Sequence, residues 1–443
     1  MTTRLAARQR LVRRVSVSFD CAEAGGFKST GVAAELLSVR TRQIEILLVA
    51  VIFGLTAVLT TTTAHAAPPD WTVKGGGDGF SRVVKATAKS NSARSGKVAK
   101  TRKPRTLPTP TPSTPTVPVP APASGTLPEF GTQFHGMWSS YTDTQRAKVL
   151  DTLKANGVTT VRLDVSWAML QPNGPTFDTW GTNFVTRVLK MITDRQMKPM
   201  VMIWLTPSWL TGSSDSRIPP STSDQLQKWE DFTEQLADRF PQVSDWEVWN
   251  EANHNDFMRG ADPAVYAKVL TSANRGLKRG NSRATVVFAG TQFVDVPWIR
   301  KALKAGAQGN YDVMGVHPYM GVGNASPDLP DDGTIWRLRH IPELRSAMMA
   351  AGDNKPIWFT EFGWRAGSTG TANWQLGVDQ DTQATYLAKT LEIVRSEWSY
   401  VKRVYWYREL ADNNTSQSSG YGLILPNGTP KPALTQIPSI YAG

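Results

Sequence analysis

The 443-residue sequence holds one cysteine, Cys21. It lies in a leader expected to be removed, so the mature chain would have none. That excludes a disulfide framework and any thiolate metal site. Histidine is almost as scarce. The five, at 65, 135, 254, 317 and 340, form no HExxH pair and no close grouping with carboxylates, so no zinc constellation is expected. A phosphate loop is missing too. Gly75-Gly76-Gly77-Asp78-Gly79 lacks the Gly-Lys-Ser/Thr ending and a preceding strand, and Ser166 and Ser208 sit in no G-x-S-x-G elbow. The sequence therefore implies no cofactor and no metal.

Most of the chain also lacks net charge. Residues 129–443 carry 31 Lys/Arg and 31 Asp/Glu, whereas residues 1–128 carry 18 and 6. The formal +12 thus belongs wholly to the N-terminal segment, and no nucleic-acid partner is implied for the rest. Residues 46–59 form the one long apolar run of that segment, short of the roughly 20 residues a membrane span needs. Arg40 and Arg42 precede it, and Ala64-His65-Ala66 follows with small-x-small spacing. This reads as a signal peptide cleaved after Ala66, the alternative being an uncleaved anchor. Residues 1–66 are the expected leader, and the protein is expected to be secreted or associated with the cell envelope. Residues 67–128 read as a disordered basic and Pro/Thr-rich linker. Its 107–128 stretch favours extended polyproline II, and its charge suits contact with an anionic envelope.

From residue 129 onward, apolar strand-like runs alternate with helical patterns. Strands are expected at 130–138, 159–167, 200–205, 246–250, 284–290, 311–317, 355–361 and 401–407. Between them Leu226, Trp229, Phe232, Leu236 and Phe240 recur at helical spacing. Thr142 with Gln145 makes a capping box, and Asp262-Pro263 opens another helix. Eight strand–helix repeats point to an α/β fold, a (β/α)8 TIM barrel over 129–443, with a doubly wound open sheet as the runner-up. In a barrel the chemistry sits where strands end. Glu251 ends the fourth strand in W-E-V-W-N-E-A-N, and Glu361 ends the seventh in W-F-T-E-F-G-W. Two carboxyl groups facing each other across a rim are what glycosidic cleavage needs, one protonated and one charged.

Asn250-Glu251 after one apolar strand, with Glu361 after another, resembles clan A of the glycoside hydrolases, in its cellulase-like family 5 and family 39-like members. The resemblance covers residues 129–443. It implies Glu251 as acid/base and Glu361 as nucleophile of a retaining enzyme. It implies that Arg162 holds the nucleophile, that His317 and Tyr319 form the His-x-Tyr element, and that Trp406 floors the cleavage subsite. Asn250 would bind the sugar 2-hydroxyl. Arg162 and Tyr319 should lower the pKa of Glu361, and burial with the charge of Glu361 should raise that of Glu251. The domain carries 15 of the 16 tryptophans. Trp138, Trp204 and Trp364 are the expected cleft aromatics, His135 a further subsite contact, and Tyr407 and Glu409 lie near enough to join. Trp246, by alternation with Trp249, should face the helices. The expected partner is a polysaccharide or oligosaccharide, and the expected state a monomer. Two alternatives stay open: a transglycosylase using the same pair, and a non-catalytic glycan-binding barrel.

Overall fold

A computed structural model describes residues 125–411 and 418–443. The leader, and the linker as far as residue 124, lie outside the described residues. Among the described residues no helix is long and apolar enough to cross a membrane.

The chain alternates strand and helix throughout. β1 (Glu129–Gln133) leads to α1 (Asp143–Ala155), β2 (Thr160–Ser166), α2 (Thr179–Thr193) and β3 (Lys198–Trp204). Then come α3 (Ser223–Arg239), β4 (Asp245–Val248), α4 (Pro263–Gly280), β5 (Thr285–Phe288), β6 (Thr291–Gln292) and α5 (Val296–Ala302). The last third holds β7 (Met314–His317), α6 (Ile341–Ala350), β8 (Ile357–Phe362), α7 (Gln380–Glu397), β9 (Val401–Trp406), α8 (Pro432–Thr435) and α9 (Ile437–Ala442). The expected caps are present. Thr142 and Gln145 bond reciprocally at the start of α1, and Asp262 accepts from Ala264 and Val265 at the start of α4.

All strands pair in parallel, in the order β5-β4-β3-β2-β1-β9-β8-β7-β6. The ring closes because β5 and β6 are two pieces of one strand, interrupted at Ala289-Gly290. Val287 bridges to Val313, and the Phe288 N–H donates to the Val313 carbonyl at 2.9 Å. The architecture is thus eight strand positions ringed by helices, and β7, β8 and β9 are its sixth, seventh and eighth strands. The interruption has a steric cause. A Cβ on Gly290 would lie 2.1 Å from His317 Nε2 and 2.4 Å from Thr360 Oγ1, so only glycine lets the strand pass so close to the sixth and seventh.

Alternation sets the two faces. Met200, Val287, Val313, Trp358 and Tyr405 form a separate buried cluster inside the ring. Arg403 plugs one end, donating to Asp245 at 2.7 Å. Trp246, one residue on from inward-facing Asp245, belongs to the large cluster between strands and helices, as its alternation implied. Helices α3 and α4 are joined across their polar edges by Arg275 and Arg279, which both pair with Glu230. The last residues of the Pro/Thr stretch pack on the domain: Leu127 lies against the core, and the Tyr441 hydroxyl donates to the Pro128 carbonyl at 2.5 Å.

Candidate active site

Glu251 lies three residues past β4, where the backbone turns sharply. Trp249 (φ 76°) and Glu251 (φ 39°) are both left-handed, a conformation that costs a non-glycine residue about 1–3 kcal/mol. Hydrogen bonds hold them there. The Trp249 N–H donates to the Ile203 carbonyl at 2.8 Å, and the Glu251 N–H to the Gly290 carbonyl at 3.1 Å. The turn throws the Glu251 side chain over the ring.

Glu361 reaches the same place by another device. Trp358 and Thr360 of β8 face inward, so simple alternation would turn Glu361 toward the helices. The register with β9 slips between Phe359 and Phe362: Phe359 pairs with Val404 but Phe362 with Trp406. That bulge places one extra residue on β8 and re-aims Glu361 into the ring, a common use of bulges beside functional sites.

The two glutamates meet over Arg162, which is buried on β2. Its Nη1 donates to Glu361 Oε1 at 2.6 Å and to Gln133 Oε1 at 2.7 Å. Its Nε donates to Glu247 Oε2 at 2.5 Å, and its Nη2 to Asn250 Oδ1 at 2.8 Å. Because Asn250 Oδ1 is taken, the amide NH2 is the end left to face the cleft. The Tyr319 hydroxyl donates to the other oxygen of Glu361, Oε2, at 2.9 Å. Glu251 has its own pair of neighbours: Gln292 Nε2 donates to Oε2 at 3.2 Å, and His317 Nδ1 lies 3.0 Å from Oε1. Burial holds His317 well below the ordinary histidine pKa, so its ring is neutral. Nε2 has no partner. The tautomer with the proton on Nδ1, donating to Glu251, leaves only a lone pair unsatisfied there.

Burial pushes the Glu251 carboxyl well above its ordinary value, and the charge of Glu361 adds to the rise. Glu361 is itself raised rather than lowered, because its burial outweighs the pull of Arg162 and the Tyr319 hydrogen bond. This corrects the expected sign for Glu361. The order survives, with Glu251 the weaker acid, so at intermediate pH one group is protonated and the other ionised.

An oxygen of Glu251, His317 and an oxygen of Glu361 all lie within 4.8 Å of one another, which is also the spacing of a metal trio. The donor set does not favour a cation. Both oxygens of Glu361 already accept hydrogen bonds, and Arg162 places a fixed positive charge beside them.

These groups floor a cleft open to solvent, lined also by His135, Gln133, Met202, Phe257, Phe293, Arg365, Trp374, Tyr407 and Tyr421. His135, expected here, is buried, and burial lowers its pKa against the opposing charge of Glu409. Its Nδ1 bonds Glu409 at 3.0 Å, and Glu409 also accepts from the His135 N–H at 3.0 Å and the Tyr141 hydroxyl at 2.8 Å. Glu409 therefore stands behind His135 rather than in the cleft, with its carboxyl pulled down to about 2 chiefly by His135 against the cost of burial.

The expectation of Trp406, Trp364, Trp138 and Trp204 as cleft aromatics fails. Trp406 alternates with inward-facing Tyr405 and Tyr407, so it faces outward, wholly buried against Phe362, with its Nε1 on the Tyr421 carbonyl at 2.8 Å. Tyr407 lines the cleft instead. Trp364 is buried against Trp406, and its Nε1 donates to the Ala325 carbonyl at 2.8 Å. Trp138 lies tilted against His135, ring centroids 4.1 Å apart. Trp204 is buried beside Phe257, which takes the wall position. Sequence reasoning also missed Gln292, Phe257, Phe293, Trp374, Arg365 and Tyr421. They lie in loops, in single 3-10 turns (Trp374 and Tyr421) or at the broken strand, where no periodicity marks a facing side.

The model of glycosyl hydrolases family 39 matches residues 175–440. No curated protein matches the chain in sequence. Among solved structures, the chain is similar to a family 39 glycoside hydrolase of Bacteroides cellulosilyticus WH2, with TM-score 0.57 and 22% identity over 71% of this chain and 64% of that one. It therefore spans under two thirds of that chain's length. A monomeric β-xylosidase of Caulobacter crescentus CB15 matches with TM-score 0.53 and 18% identity, over 71% of this chain and 69% of the other. A Streptomyces cattleya GH5_18 protein, described in complex with GlcNAc, matches with TM-score 0.54 and 18% identity, over 72% and 80%. At these identities the structural likeness speaks for the fold.

Proposed function

The chain belongs to family 39 of the glycosyl hydrolases, and on that premise we propose that it hydrolyses a glycoside with retention, Glu251 serving as acid/base and Glu361 as nucleophile. The observation that carries the proposal is the separation of the two carboxyl groups. An oxygen of each lies within 4.8 Å, in keeping with the roughly 5–5.5 Å of a retaining pair and well short of the 6.5–9.5 Å that admits a water between them.

The chemistry follows from the hydrogen bonds. Protonated Glu251, steadied by Gln292 and His317, gives its proton to the glycosidic oxygen as the bond to the leaving group breaks. Ionised Glu361, aimed by Arg162 and Tyr319, attacks the anomeric carbon from the opposite side and forms a glycosyl ester. Esterification removes the negative charge of Glu361, one of the influences that raises the Glu251 pKa. Glu251, deprotonated by the first step, then takes a proton from the water that opens the ester. The NH2 of Asn250 is placed to donate to the sugar 2-hydroxyl, and His135, on the cleft wall, to hydrogen-bond another hydroxyl.

Replacing Glu361 by Ala should abolish turnover of a β-linked substrate, with azide restoring it and giving an α-glycosyl azide. Activity retained in that variant refutes the assignment. We propose further that the enzyme is exported, acts as a monomer on an extracellular or envelope glycan, and touches an anionic surface through residues 67–128. These readings rest on sequence. Mass spectrometry of the N-terminus of the cell-associated and released protein tests the export, which predicts a start at Ala67.

A further inference from the structure

Buried arginines in this domain come with acids. Arg162 has Glu247 and Glu361, Arg403 has Glu129 and Asp245, Arg146 has Asp143, and Arg408 has Glu409 at 3.8 Å. Arg365 is the exception among the described residues. It is 2% exposed and lines the cleft, yet no carboxylate pairs with it. Its Nε donates to the Gly367 carbonyl at 2.8 Å and its Nη1 to Thr369 Oγ1 at 2.5 Å. Nη2 donates to no protein atom among the described residues. Burial holds this guanidinium below the usual arginine value, opposed only by Tyr421, as it does Arg146 despite Asp143, whereas Arg162 and Arg403, each with two acids beside it, are raised.

A guanidinium taken out of water without a counter-charge is unfavourable. When its free edge faces a cleft, a bound ligand can supply the missing charge through charge-assisted hydrogen bonds. The position of Arg365 says which half of the ligand does so. Gln292 and His317 surround Glu251, the group beside the leaving oxygen. Arg365 instead lies by Tyr421, which packs on Tyr319 at 6.0 Å and on Tyr407 at 5.8 Å, and Tyr319 holds Glu361. The Tyr421 hydroxyl has no protein partner among the described residues, and burial keeps it protonated, hence a donor.

Resting on the hydrolase reading, we infer that Arg365 and the Tyr421 hydroxyl form an anion subsite in the glycone half of the cleft, so that the preferred sugar carries a carboxylate or a sulfate ester. The two anions share planar-edge recognition by a guanidinium and are separated by the test.

The test is calorimetric titration of the full chain, as wild type and as Glu361→Gln, with glucuronate, galacturonate, mannuronate, iduronate, glucose 6-sulfate and galactose 6-sulfate, each beside its neutral parent sugar. At least one acidic sugar should bind about 10- to 100-fold tighter than its parent, the range expected of one or two charge-assisted bonds. Preference confined to uronates identifies a carboxylate, and preference confined to the 6-sulfates identifies a sulfate ester. Arg365→Gln should bring the ratio to within about threefold of one, Arg365→Lys should keep part of it, and added salt should shrink it. Melting midpoints check that each variant folds. A ratio near one for every pair in the wild type, or a ratio indifferent to Arg365→Gln in a folded variant, overturns the subsite. The hydrolase reading is scored separately, on aryl glycosides of the same sugars. Glu361-dependent cleavage without anion preference removes the subsite alone. Arg365-dependent binding with no glycoside cleaved keeps the subsite and counts against hydrolysis.

Discussion

Replacing Arg162 by Met probes the site where stability and catalysis meet. The side chain is 1% exposed and donates to four acceptors, two of them the carboxylates of Glu247 and Glu361. Methionine fills a similar volume but strands both charges, and removing one partner of a buried pair costs about 3–5 kcal/mol. For a domain of this size, with about 2 °C per kcal/mol, the melting midpoint should fall by about 6–10 °C. The catalytic consequence has a sign. Arg162 pulls the Glu361 pKa down against burial, and Glu361 must be ionised, so activity is lost as pH falls through its pKa. Without the guanidinium that pKa rises, and the acid limb of the kcat/KM profile should move to higher pH while the maximum falls at least about 10²-fold. Arg162→Lys keeps a charge but not the planar fork. It should recover part of the limb position and little of the rate. The assay is a pH profile on an activated aryl glycoside, with thermal unfolding in parallel. An acid limb that stays in place in Arg162→Met, with stability changed by less than about 1 kcal/mol, refutes the role given to this arginine.

Three further outcomes follow from the geometry. Glu251 is raised well above the ordinary carboxyl value, so the alkaline limb of the wild-type profile should report its deprotonation, and Glu251→Gln should remove that limb and slow poor leaving groups most. Glu409, wholly buried, is pulled down to about 2, so it stabilises the fold above the ordinary glutamate pKa and loses that contribution as pH falls toward 2. Glu409→Gln should therefore cost about 3 kcal/mol at pH 7 in urea unfolding, with the gap to wild type closing near pH 2. Trp406→Ala should destabilise by about 3–5 kcal/mol through its cavity, whereas Tyr407→Ala, on the cleft wall, should raise KM with a smaller loss of stability; the reverse pattern in melting and kinetics contradicts the facing assigned to each.

Much of this was legible in the sequence because alternation and strand count are local. Two glutamates at strand ends, an arginine on the second strand and a His-x-Tyr after the sixth suffice to bring Glu251, Glu361, Arg162, His317, Tyr319 and Asn250 together, and the structure does so. What escaped depends on departures from regularity. The bulge that turns Glu361 inward leaves no mark in W-F-T-E-F. The left-handed turn at Trp249 and Glu251 carries no glycine to announce it. The tryptophans misled because apolar rings near a rim look alike in sequence whether they face sugar or helix. Strict alternation from Arg403 would have chosen Tyr407 over Trp406. Burial of Glu361 beside Arg162 is a three-dimensional quantity, so the sign of its pKa shift was beyond a reading of neighbours in sequence.

In the double displacement proposed above, Glu361 forms a covalent bond to the sugar. Incubation of the enzyme with a 2-deoxy-2-fluoro glycoside bearing a good leaving group, followed by peptic digestion and mass spectrometry, measures this directly. One fluoroglycosyl increment is expected, on the peptide containing Glu361 and absent from Glu361→Gln. An increment on Glu251 or on any other residue contradicts it, as does turnover-inactivated enzyme that carries no increment.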